Sequence, residues 1–219
     1  MKEKGITAPW MPEVFYNTEG DCEFLKDCAE EEILIHEIII KDVTAVDLNF
    51  SRMCSSKVRF ENCTFLNCMF DKGEFTDVIF KSCNISNCSF NDSYFNRCQM
   101  ISSKGMGAKY TGSSIQNMIF RDCNLEYANF DSSKLEKVGF QDVELSHGNV
   151  SQCRVKEVEW DRTRLHGTSF FKTSLRKMDF TTCTISELVL SDECSELKGA
   201  VVDFYQAAEL AKRLGLIIK

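Results

Sequence analysis

The sequence predicts a repetitive solenoid, a narrow tube wound from five-residue units, and three observations predict it. From Phe60 to Leu190 every fifth residue is large and apolar, 27 positions in a row with Gly105 the one exception. Two residues before each of these stands Gly, Ala, Ser, Cys, Thr or Val in 24 of the 27 units. The remaining three places of each unit are mostly polar. A period of five fits neither an amphipathic helix nor an alternating strand, so it is read as a structural repeat. A narrow tube has room for one large and one small inward side chain per short segment, and the other three must face water.

The elements follow in order. Residues 1–32 precede the repeat, with Cys22 and Phe24 as one isolated pair off its register, and are read as an N-terminal cap segment of open form. The register is traceable through Ile35, Ile38, Ile40, Val43, Leu48 and Phe50, with Ala45 and Ser55 as weak centres, so the repeat spans 33–192. Around Gly105 (SSKGMGAKY) the pattern weakens, which predicts either a loosened corner or a short excursion. After Leu190 the period stops, and 193–219 reads as a helix with a tail. Asp203 is a good N-cap with Gln206 three residues on, as in a capping box. Phe204, Ala207, Ala211 and Leu214 make one apolar stripe. Lys212 and Arg213 suit the negative end of the helix dipole, and Gly215 suits a helix stop. Leu216, Ile217 and Ile218 are expected to form an apolar strand. The stripe and tail either cap the last coil or form a dimer seam. They exceed what capping one coil needs, which favours the seam.

Composition excludes several function classes. The chain of 219 residues is 43% hydrophobic with two prolines, enough for a core and against long disordered linkers. The net charge of −7 speaks against direct nucleic-acid binding by phosphate neutralisation. The opening MKEKGITAPW has no apolar leader and no 18-residue apolar run follows, so no membrane span is expected. Of 12 Cys, eight (63, 68, 83, 88, 98, 123, 153 and 183) fall in the small inward column, where they serve as small hydrophobes. Free thiols in that number fit a reducing cytoplasm. His147 and His166 face outward on adjacent coils without a third ligand, so no metal site is expected. No nucleophile, P-loop or dinucleotide motif is present. The chain is therefore expected to be a non-enzyme with no catalytic residues and no cofactor.

The segments FENCTFLNCMF and LEYANFDSSKL resemble the pentapeptide-repeat family: a large central Phe or Leu, a small residue two before it, polar residues elsewhere. The resemblance covers roughly 33–192. It implies an all-β solenoid, a right-handed quadrilateral parallel β-helix with four pentapeptides per coil, hence about eight coils and a rod of roughly 38 Å at the spacing of stacked strands. A narrower resemblance lies in the tail. The run from Asp203 to Leu216, preceded by LKGAVVD, is similar to the C-terminal module of quinolone-resistance (Qnr and MfpA-like) proteins. That resemblance implies a homodimer through the C-terminal helix. It also implies binding to DNA gyrase or topoisomerase IV by mimicry of duplex DNA, and protection from quinolones. The register crosses without insertion the regions where Gram-negative Qnr proteins project loops.

A DNA mimic needs negative charge along its length, and the distribution is uneven. Residues 1–50 carry −8, and 58–192 only −1. The face centred on Phe60 through Phe180 has an acidic strip in its C-terminal half: Asp122, Asp142, Glu159, Asp161 and Asp179. That strip is the expected partner contact. Phe204, Ala207, Ala211, Leu214, Leu216, Ile217 and Ile218 are the expected dimer interface. The alternative is a structural or adaptor solenoid that binds another protein.

Overall fold

Four five-residue units make one turn, so each residue lies beside the residue twenty positions on. The computed structural model describes residues 5–15, 21–213 and 215–217. A first helix, α1 (Cys22–Glu30), is followed by three short strands, β1 (Leu34–His36), β2 (Ile39–Lys41) and β3 (Thr44–Val46). Then come β4 (Cys54–Glu61), β5 (Thr64–Leu66), β6 (Glu74–Lys81), β7 (Tyr94–Ile101), β8 (Ser114–Arg121), β9 (Lys134–Gln141), β10 (Arg154–Asp161), β11 (Arg164–His166) and β12 (Thr184–Ser186), and last a helix, α2 (Phe204–Lys212). All strand pairs are parallel and the register is Phe60↔Phe80, Met100↔Phe120, Phe140↔Trp160. The result is a parallel β-solenoid of about eight turns with a C-terminal helix. Its largest sheet runs β1-β4-β6-β7-β8-β9-β10, with β2 also on β4. These eight-residue strands cross two of the four sides without a break and make the flat wall of the rod.

The large column fills the tube with stacked rings. Phe50, Phe70, Phe90, Tyr110 and Phe130 form one stack at 5.1, 4.9, 5.2 and 4.8 Å between centroids. Phe120, Phe140 and Trp160 form another at 5.1 and 4.3 Å. Such pairs contribute about 0.5–1.5 kcal/mol each beyond burial. The small column does more than leave room. Ser113 Oγ donates to the Phe90 carbonyl at 2.6 Å and accepts the Ser93 N–H at 3.1 Å. Thr173 Oγ1 likewise donates to the Val150 carbonyl and accepts the Cys153 N–H. The Cys88 thiol donates to the Phe65 carbonyl at 3.2 Å. Ser, Thr and Cys recur here because a short donor satisfies the backbone between coils.

Every fifth residue also turns a corner with positive φ, Asn62, Asn67, Asp77, Asn87 and Asp92 among them, and Gly107, Gly112 and Gly167 serve the same role. Asn, Asp and Gly tolerate that conformation best. Gly105 is neither a loosened corner nor an excursion. Its N–H donates to the Asn124 carbonyl at 2.7 Å in the ordinary ladder. A Cβ there would lie 2.9 Å from Leu125 Cδ2, so neighbouring side chains already fill the space.

The two ends are closed differently. α1 is capped by Asp21, whose side chain accepts the Phe24 N–H at 2.8 Å, and it buries Leu25, Cys28 and Ala29 in the rod's core cluster. The segment before it does not cap the rod. Residues 5–15 run along the flat wall from β10 back to β4, a path that sequence periodicity cannot reveal because the segment has no repeat. At the other end the ladder outlasts the sequence period. Leu175, Lys177 and Phe180 donate to the carbonyls of Glu196, Gly199 and Val201, spanning 21 or 22 residues where Phe170 to Val189 spans 19. The extra residues are absorbed in a 3-10 turn at Ser195–Leu197. Glu196 is buried there and accepts from the Lys172 and Ser191 N–H groups and the Ser191 hydroxyl at 2.8, 3.1 and 2.8 Å. The strand expected at Leu216–Ile218 is corrected: Leu216 and Ile217 have no strand structure, having no neighbour to pair with, and Ile218 lies outside the described residues.

Candidate partner-binding surfaces

At the C-terminal end, α2 carries the expected capping box. The Gln206 N–H donates to Asp203 Oδ1 at 2.8 Å, and the Asp203 N–H to Gln206 Oε1 at 2.9 Å. Gln206 Nε2 then donates to the carbonyls of Phe180 and Cys183 at 2.7 and 2.8 Å, so one side chain caps the helix and fastens it to the last coil. Gln206 is also the buried residue of the helix. Leu210 packs against the core of the rod, whereas Phe204 and Tyr205 are each 82% exposed, Leu216 is exposed, and Ile217 is 89% exposed. Ala207 and Ala211 line an apolar groove of about 250 Å³ with Cys194, Leu197, Ala200, Val202 and Leu210. Leu214 and Ile218 of the expected interface lie outside the described residues.

The five acids of the strip do not form one continuous run. Asp122 and Asp142 line a shallow pocket with Glu144, Arg162 and Arg164. Arg162 grips Asp142 with two hydrogen bonds of 2.6 Å and reaches Asp161 with a third of 2.6 Å. The Arg162 guanidinium holds the Asp142 carboxyl below its ordinary value. Asp179 accepts from the Thr181 N–H and hydroxyl, which lower its carboxyl in the same way. Glu159 lies apart, in a groove of about 610 Å³ between β10 and residues 174–178, beside Lys156, Arg176 and Lys177. That groove exists because residues 175–178 fold as a tight turn, the Met178 N–H donating to the Leu175 carbonyl. Among the described residues no backbone hydrogen bond joins 155–160 to 174–181.

The Arg162 pairings were not read from the sequence. The usable signal was spacing: opposite charges twenty residues apart meet. Glu37–Lys57, Asp77–Arg97, Glu136–Lys156 and Asp142–Arg162 are such pairs, at 2.9, 2.7, 2.7 and 2.6 Å. On the basic side, Lys134 and Lys156 both bond Glu136 and push its carboxyl down to about 2.

The other residues singled out by type have structural settings. All twelve cysteines are free thiols, with Cys28 buried on the inner face of α1 and Cys22, Cys54 and Cys194 partly exposed. The His147 ring stacks on Tyr127 at 5.1 Å, and His166 meets it edge-on at 5.1 Å. Among the described residues no three His, Cys, Asp or Glu side chains are grouped to hold a metal ion. Among the same residues no helix is long and apolar enough to cross a membrane. Ile119, an outward apolar position in the repeat, is only 1% exposed because the N-terminal segment covers it.

Comparison with known proteins places this architecture. The model of the family described as "Pentapeptide repeat region" matches residues 73–150 and 113–190. The uncharacterized protein YisX of Bacillus subtilis (strain 168) is 30% identical over 137 residues, 63% of this chain and 62% of that protein, so the chain spans less than two thirds of that relative's length. Full-length QnrB1, a plasmid-mediated fluoroquinolone resistance protein, matches at TM-score 0.52 and 28% identity over 82% of this chain and 91% of its own. A trypsin-treated variant of QnrB1 matches at TM-score 0.53 and 21% identity over 82% of this chain and 99% of its own, a likeness of fold.

Proposed function

The chain belongs to the pentapeptide-repeat family, and from that premise we propose that it is a Qnr-like protein that binds a type II topoisomerase, DNA gyrase or topoisomerase IV, in the cytoplasm. The rod stands in for duplex DNA, and binding modulates the enzyme or protects it from quinolones. Helix α1 of the 1–32 segment closes one end, 33–192 form the rod, and 193–219 join two rods end to end. The likeness to QnrB1 over four fifths of the chain carries this reading. The exposed Phe204, Tyr205, Leu216 and Ile217 and the groove at Ala207 and Ala211 support the dimer. In that dimer the two acidic strips face a basic DNA-binding surface near the centre of the assembly.

The test is a gyrase supercoiling assay titrated with the purified protein, with and without ciprofloxacin. Restored supercoiling under drug supports protection. Inhibition without restoration supports mimicry alone. No effect at any concentration sinks the topoisomerase reading. A second reading, an adaptor solenoid for another protein, is favoured by Arg162, which neutralises the middle of the strip.

A further inference from the structure

Residues 5–15 cross the flat wall at right angles to its strands and touch β10, β9, β8, β6 and β4 in that order. Gly5 lies beside Glu157 of β10. The Thr7 N–H donates to Asn117 Oδ1 of β8 at 3.3 Å. The Trp10 N–H donates to Asp77 Oδ1 of β6 at 2.8 Å, and Lys57 Nζ of β4 sits 4.1 Å over the Trp10 ring. Arg59 lies 5.1 Å from the Phe15 ring. The segment is anchored by little. Ile6 is the one buried residue within 5–15.

The seat for Ile6 is built into the wall. The outward column that runs Arg59, Ile79, Gln99, Ile119, Gly139, Glu159 contains one glycine, and Ile6 enters the notch it leaves. A Cβ on Gly139 would stand 3.1 Å from Ile6 Cδ1. Ile119 forms the floor of the notch and is buried although its place in the repeat points to solvent. Four residues along, Asp77 is 3% exposed and accepts the Trp10 N–H together with two hydrogen bonds of 2.7 Å from Arg97. A notch, an apolar floor and a buried charged acceptor, all on a wall that otherwise faces water, are the parts of a peptide-recognition site.

We propose that the flat wall is a peptide-binding track whose cis-bound occupant is residues 5–15, a latch that keeps the track closed until Ile6 leaves the Gly139 notch. The chemistry recognised is an extended peptide with a branched aliphatic side chain four residues before an indole. This inference does not depend on the identity of the partner discussed above.

Two full-length variants test it. Ile6→Asp places a charge in an apolar seat and leaves the track intact. Gly139→Leu fills the seat from the outward side of the strand and blocks the track. In both, the Thr7 and Trp10 amides are expected to lose protection from hydrogen exchange by roughly tenfold or more while the β8 and β9 amides keep theirs. A labelled synthetic peptide, GITAPWMPEVF (residues 5–15), is then expected to bind the Ile6→Asp protein. It is expected to bind wild type only at about tenfold or higher concentration, since the cis segment competes at high effective concentration, and not to bind the Gly139→Leu protein. Retained protection of Thr7 and Trp10 in both variants overturns the latch. Failure of the peptide to bind the Ile6→Asp protein, or equal binding to the Gly139→Leu protein, overturns the track.

Discussion

Ser55 stands where the repeat asks for a large side chain, between Ile35 and Phe75 in the register, and its buried hydroxyl has no hydrogen-bond partner. A buried unsatisfied polar group costs about 1–3 kcal/mol. Ser55→Ala is therefore expected to stabilise the protein by about 1 kcal/mol, read as a higher urea midpoint at unchanged slope. Asp77 illustrates the opposite case. Burial works against its charge, but Arg97 and the Trp10 N–H outweigh it and hold the carboxyl below its ordinary value. A carboxyl depressed by folding adds stability above its unfolded value of about 3.9, and loses that contribution as pH falls through the lower folded value. Asp77→Asn is expected to flatten this acid limb, measured as stability against urea from pH 6 downward. Neither effect is visible in the sequence alone. Asp77 sits at an outward position of the repeat, where Arg97 and the Trp10 backbone close on its carboxylate.

At the scale of elements, the start of α2 was legible: its N-cap and its capping box both follow from Asp203 onward. Its attachment was not, because the Gln206 side chain reaches carbonyls 23 and 26 residues earlier in the chain. Gln206→Ala removes the reciprocal cap and leaves two carbonyls without that donor. Loss of such a cap and of buried partners costs about 1–3 kcal/mol. The expected outcome is faster amide exchange throughout α2 with the core strands unchanged, and equal protection in variant and wild type would refute the fastening role. The N-terminal segment shows the converse limit. Helix α1 and the strap lie outside the repeat, and a segment without period carries no signal of where it packs.

At the scale of the whole molecule, the two ends are finished differently. α1 closes one end over apolar groups, whereas α2 turns Phe204 outward beside the Ala207–Ala211 groove. Ala211→Asp is expected to convert a dimer of the wild-type chain to monomer in sedimentation velocity. A wild-type chain that already sediments as a monomer would remove the end-to-end dimer from the proposal. Arg162 pairs with two of the strip's acids. Arg162 is half exposed, and a surface pair of that kind contributes only about 0–1 kcal/mol, so Arg162→Gln should fold normally. It removes the Arg162 pairs from Asp142 and Asp161, and in the proposed function gyrase binding is then expected to tighten and to become more salt-dependent. Weaker binding would show that Arg162 itself makes the contact.

The amino-acid sequence alone determined the solenoid and its inward columns, because each is a local rule repeated at a fixed spacing, and it marked the N-cap and capping box of the helical tail. Five-residue periodicity decides which side chain points inward irrespective of what lies far away in the chain. The tertiary structure decided what happens where that rule is silent. It seated Ile6 in the notch at Gly139, carried the ladder past Leu190 to Val201, and opened a groove beyond β10. These contacts join residues at spacings the repeat does not dictate. Their free energies depend on surfaces that exist only once the coils have stacked.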